Sequence, residues 1–210
     1  MKFTFFLTIL LISILSCVKH EVIPAPIPTV ILSAKFTATI NGISTVFEDG
    51  VLGYSCNPTQ EKNLVTSPLL STAIVYSKIG STQATESIQI ALGKINWDAA
   101  KSTELTLPSF NSFFKDPLNV LPKYKDDHSS GFSAKYIDKN GTIYTSRDTS
   151  SRYKSVKFSN ITQESDATGD YSKFVCTFNC YVYYLSGPNP ANNLDSIQIQ
   201  NAQFKGWFKK

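Results

Sequence analysis

The sequence predicts an all-β chain: a single antiparallel β-sandwich, with a lipocalin-like β-barrel as the alternative. Three observations predict it. Apolar residues recur at every second position in several runs, the period of a half-buried strand. Asn-Gly and other turn residues separate those runs at short intervals. No stretch carries the 3.6-residue period of a long helix. The chain has 210 residues, enough for one domain with a real core, and 12% aromatic content argues against disorder.

The elements follow in order. Lys2 gives a short positive start, and Phe3 to Leu15 is almost wholly apolar. Thirteen residues are too few to span a bilayer, which takes ~20. They fit the apolar region of a secretory signal peptide, predicted over residues 1–16. Cys17 stands where the apolar run stops. Residues 17–30 read as a tether, because Pro24, Pro26 and Pro28 alternate and favour extended backbone. Residues 31–210 are the expected β domain.

Lys35 to Ile40 alternates, with Phe36, Ala38 and Ile40 on one face. Asn41-Gly42 and a second β-rich run, Ile43 to Phe47, follow. Asn-Gly between two such runs predicts a tight hairpin, since both turn positions take positive φ. Ser71 to Ile79 reads as a strand, as does Glu86 to Leu92 with Ile88, Ile90 and Leu92 inward. Phe132 to Tyr136, the turn Asp138-Lys139-Asn140-Gly141, and Thr142 to Thr145 read as a second hairpin. Tyr153 to Ile161 is a further strand. Asn96 to Ser130 holds Pro108, Pro117 and Pro122 and reads as an excursion with one short helical turn. Loops of that length are often functional.

Ser172 to Leu185 is the longest predicted strand. Phe174, Cys176, Phe178, Cys180, Val182 and Tyr184 form its inward face. In the last strand, Ser196 to Phe208, Ile197 and Ile199 are odd, whereas Ala202, Phe204 and Phe208 are even. A bulge near Gln200-Asn201 keeps both sets inward. The outward side then carries Tyr181 and Tyr183 on one strand and Trp207 on the other, among amides. Aromatic rings beside amides suit stacking on sugars or contact with a protein. These three and Trp97 are the candidate ligand-binding residues.

Ser16-Cys17 after the apolar run resembles the bacterial lipobox. Phe36-Thr37-Ala38-Thr39-Ile40-Asn41-Gly42 and the closing Ile197-Gln198-Ile199-Gln200-Asn201-Ala202-Gln203-Phe204 are similar to the opening and final strands of small uncharacterised Bacteroidetes lipoproteins. The last strand departs from that pattern, with Ala202 where Gly is usual. The resemblance implies cleavage before Cys17, acylation of Cys17 (palmitate among the acyl chains), and a β-rich domain at the cell envelope. It implies an outer-membrane lipid anchor, facing the periplasm or the surface, and carries no catalytic residues.

With Cys17 acylated, Cys56, Cys176 and Cys180 remain. Cys176 and Cys180 lie four apart on one strand face, about 13 Å between Cα atoms, beyond disulfide reach. Any bridge therefore pairs Cys56 with Cys176 or Cys180; the alternative is three buried thiols. Asp126-Asp127-His128 in the long loop could help bind a cation; Asp138-Lys139-Asn140-Gly141 resembles the start of a calcium loop that Thr142-Ile143-Tyr144 breaks, and the acidic turn holding Glu164, Asp166 and Asp170 reads as a solvated turn. No metal or other cofactor is expected. A net charge of +4 spread along the chain is no nucleic-acid footprint.

The functional expectation is non-catalytic binding or scaffolding at the envelope, of a glycan or a protein, with the membrane as the anchor's partner. The alternatives are a polysaccharide hydrolase using a carboxylate pair, and a structural subunit of a surface assembly.

Overall fold

The computed structural model describes residues 28–65, 68–126, 130–148, 154–185 and 194–210. The predicted signal peptide, Cys17 and most of the tether lie outside these residues, as do Asp127 and His128. Among the described residues no helix is long and apolar enough to cross a membrane.

Among the described residues ten strands form one antiparallel sheet: β1 Lys35–Ile40, β2 Ile43–Glu48, β3 Tyr54–Asn63, β4 Ser71–Ser81, β5 Ser87–Trp97, β6 Gly131–Ile137, β7 Ile143–Ser146, β8 Ser155–Asp166, β9 Gly169–Leu185 and β10 Leu194–Lys209. The strand order is β2-β1-β10-β9-β7-β6-β5-β4-β3, with β8 also paired to β9. The fold is thus all-β and antiparallel as expected, a curled half-barrel related to both the sandwich and the barrel. Long β9 makes the curl possible. One edge pairs with β10 throughout, while the other is shared by β8 near its start and β7 near its end.

The local chemistry explains the register. Asn41 (φ 47°) and Gly42 (φ 80°) occupy the left-handed region that a tight hairpin demands. The Asn41 Oδ1 accepts from the Gln198 amide at 2.9 Å, which docks this turn on β10. The bulge in β10 falls between Ile199 and Ala202, with Asn201 at φ 50°. Ile197, Ile199, Ala202, Phe204 and Phe208 are all buried as a result. On β9, Phe174, Cys176, Phe178, Cys180 and Val182 are buried, but Tyr184 is 39% exposed, contrary to the expected alternation. Its ring instead lies 6.0 Å from that of Tyr144 near the sheet's end.

Strand β3, which holds Pro58, is not among the strands expected from the sequence. It is the last strand of the sheet, and proline is tolerated at an edge, where its missing N–H costs no ladder bond. The excursion holds two short helices, α1 Leu107–Phe113 and α2 Pro117–Val120, rather than one turn. Thr106 caps α1, its hydroxyl accepting from the Ser109 amide at 3.3 Å. Phe110 and Phe114 are buried, and Phe114 stacks on Phe208 at 5.5 Å. Most of the excursion's apolar content therefore plugs one end of the half-barrel.

Candidate binding cleft

The half-barrel leaves a seam where its terminal strands do not pair. The seam is closed at one end, where Phe47 of β2 stacks on Tyr54 of β3 at 4.6 Å. Beside that contact lies a cleft of about 500 Å³. Strand β2 forms one wall along Ile43 to Phe47. Glu86, Tyr136 and the turn Asp138 to Asn140 form the other, with Leu52 and Tyr54 at the closed end. The volume lies within the range of ligand sites.

Each polar group in the second wall is placed by a strand end. Tyr136 is the third inward residue of β6, after Phe132 and Ala134, all three buried. A buried tyrosine hydroxyl needs a partner. The Tyr136 hydroxyl donates to Glu86 Oε1 at 3.1 Å, Glu86 lying just before β5. Burial raises the Tyr136 phenol well above its ordinary value, and the adjacent Glu86 charge and hydrogen bond add to the effect. Tyr54 is shifted upward for the same reasons, burial first and Glu86 second. Asp138 serves the hairpin: its Oδ1 accepts from the amides of Asn140 at 2.9 Å and Thr142 at 2.8 Å. The turn expected at Asp138–Gly141 is thus present, held by the aspartate side chain.

The residues singled out in the sequence fall elsewhere. Tyr181 pairs with Gln198 and Tyr183 with Ser196, and both rings are half-buried. Trp207 pairs with Lys173, nine residues along β10 from Gln198, or ~30 Å at ordinary strand rise. It is buried, in a depression shared with Ile31 and Ser33 of the segment before β1. Trp97 is also buried, and its indole N–H donates to the Ser102 carbonyl at 3.0 Å. The four rings do not make one aromatic platform: two are core residues, and the strand register holds Trp207 far from the tyrosines.

Among the described residues, Cys56, Cys176 and Cys180 are buried free thiols, with no bridge from Cys56. Cys56 Sγ lies 3.4 Å from Ser77 Oγ on the adjacent strand, while Cys176 sits opposite Phe204 of β10. Burial pushes the Cys56 thiol up to about 11 and the Cys180 thiol up to about 12, far from nucleophilic use at neutral pH. Among the described residues, no group of three or more His, Cys, Asp or Glu is arranged to hold a metal ion.

Sequence reasoning missed Glu86, Tyr136 and Tyr54, which the curl brings together from distant parts of the chain. One signal was available: the alternation of β6 puts a tyrosine on a core face. Comparison with known protein families, curated proteins and solved structures returns no match for this chain.

Proposed function

We propose that the chain is a non-catalytic binding domain, held at the cell envelope by an acylated Cys17, that takes a glycan or protein ligand in the seam cleft. The observation that carries the binding role is the Tyr136–Glu86 pair beside the open edge of β2. The buried Tyr136 phenol fixes the Glu86 carboxylate in the cleft wall, while Ile43 and Leu52 offer exposed apolar surface. Such a mix of apolar walls and a few fixed polar groups suits reversible recognition.

Catalysis is the weaker reading. Glu86 and Asp138 both line the cleft, which is the arrangement a glycosidase would need. However, an Asp138 oxygen is committed to two turn amides, and Glu86 holds Tyr136. The envelope location rests on the apolar run and on Ser16-Cys17, and membership of the Bacteroidetes lipoprotein group rests on those residues and the two end-strand patterns.

Two experiments test the reading. Calorimetric titration against envelope glycans and proteins should find a ligand whose affinity falls at least tenfold in Glu86→Gln and in Tyr136→Phe. A ligand bound equally by both variants would put the site elsewhere. Growth with a palmitate analogue should label the native chain and not Cys17→Ser; equal labelling would remove the anchor.

A further inference from the structure

We infer that the occupant of the cleft is an extended peptide carrying Lys or Arg, which adds as a further strand to the free edge of β2. The inference rests on the cleft being a binding site, and it names the ligand's class and mode.

The first observation is the edge itself. Among the described residues strand β2 ends the sheet, paired only to β1, from Ile40↔Ile43 to Lys35↔Glu48. A two-residue hairpin closes on a hydrogen-bonded pair, and such pairs then alternate. The backbone groups of Ile43, Thr45 and Phe47 therefore face β1. Those of Ser44 and Val46 face the cleft side, where no other strand of the sheet pairs with them. The Glu48 carbonyl accepts from the Val51 amide at 3.0 Å, which ends the free stretch there.

The second observation is a contrast between the two edges of one sheet. Exposed edges recruit other chains unless proline, charge or a cover blunts them. Strand β3 carries Pro58, Glu61 and Lys62. The stretch Ile43-Ser44-Thr45-Val46-Phe47 has no proline and no charge, and Ile43 and Val46 are exposed. One edge is protected against pairing and the other is built for it.

The third observation fixes the occupant's chemistry. The wall facing β2 carries Glu86 and Asp138 against Lys139 alone, on a chain whose net charge is +4. This local excess of negative charge favours a cationic partner. Strand addition supplies affinity through the main chain and specificity through alternate side chains. A strand alternating apolar and basic residues sets its apolar series beside Val46 on one face of β2 and its basic series on the opposite face, beside Ile43 and Thr45, to meet Glu86. A second copy's β2 brings no cation over Ile43 to Phe47, so self-pairing leaves the acidic wall unanswered.

The test uses the intact protein and two end-blocked peptides, (Lys-Val)₄ and (Glu-Val)₄. Fluorescence anisotropy should show the Lys peptide bound at least tenfold more tightly. Amide hydrogen exchange should slow at Ser44 and Val46 when it binds. Val46→Pro removes only an outward N–H, as Pro58 does on β3, and should abolish binding while keeping the circular dichroism of a folded chain. Glu86→Lys should reverse the preference between the peptides, and it decides the matter if Val46→Pro fails to fold. Binding unchanged by Val46→Pro, or without protection at β2, overturns the inference. So does a dimer that protects the same amides with no peptide present. A saccharide that binds Val46→Pro and is lost in Tyr136→Phe overturns strand addition but keeps the cleft as a site. If no ligand of either class responds to Glu86→Gln or Tyr136→Phe, both readings fall.

Discussion

The rings of Phe47 and Tyr54 stack at 4.6 Å with their planes 20° apart, and they belong to opposite ends of one sheet. The contact joins the sheet's two edges where the chain runs directly from β2 into β3, and β10 also packs against β3 and β4. The Gly50 amide reinforces it by donating to the Tyr54 carbonyl at 2.9 Å. Phe47 also stacks on Phe36 of β1 at 5.7 Å, which ties the junction to the core.

Phe47→Ala should therefore do more than leave a void. The loss should lie at the upper part of the ~3–5 kcal/mol range for such truncations, because the curl loses its clasp. Urea unfolding checks the value. A loss near ~1 kcal/mol would mean that the sheet holds its curl without this contact.

Alkaline pH should unfold the chain early. Burial raises the phenols of Tyr124 and Tyr136, and that of Tyr54, in the folded state. These groups bind protons more tightly folded than unfolded. Their stabilisation is complete below the unfolded value of ~10 and is lost as pH rises above it toward the folded values. Chemical denaturation from pH 8 to 11.5 should show stability falling above pH ~10. In Tyr136→Phe the fall should be shallower; an identical slope would discount this residue.

Thiol reagents should miss Cys56, Cys176 and Cys180 in the folded chain. All three are buried, and burial raises each thiol. Alkylation mapped by mass spectrometry should modify them only after denaturant is added. Rapid native labelling of Cys56 would mean that the β3 edge opens readily.

Asp166 should titrate unusually low. Its carboxylate accepts from the Thr168 hydroxyl at 2.6 Å and from the Val30 amide at 2.9 Å, and these bonds lower its pKa to about 2. Folded below its unfolded value, the group contributes above ~3.9, and that contribution fades as pH falls toward 2. Carboxyl NMR shifts would locate the midpoint. Asp166→Asn should quicken exchange at the Val30 amide, since this carboxylate ties the segment before β1 to the turn between β8 and β9.

Much of the fold was legible because its signals are local. The turn at Asn41-Gly42, the alternation from Phe174 to Val182 and the phase change at Gln200-Asn201 each lie within a few residues. Strand β3 was hidden by Pro58 and by Gln60-Glu61-Lys62, since an edge strand needs neither an apolar face nor every N–H. The cleft was hidden for another reason. Glu86 and Tyr136 are fifty residues apart, and Tyr54 is more distant still from Tyr136. Their meeting depends on curvature, which no sequence period encodes. Trp207 misled because outward register does not mean exposed, and its depression includes Ile31 and Ser33.

Strand β10 lies between β1 and β9, and Lys35 pairs with Lys205 across 170 positions of chain. The β1–β2 hairpin precedes β3 to β9 in the chain and must hold without its neighbour until β10 joins it. Closing so wide a loop is slow, and an isolated hairpin is marginal in water. Pairing of β1 with β10 must therefore wait until β10 is available. Until then the hairpin Lys35 to Glu48 waits with both flanks open, and its need for protection from other chains is greatest in that interval.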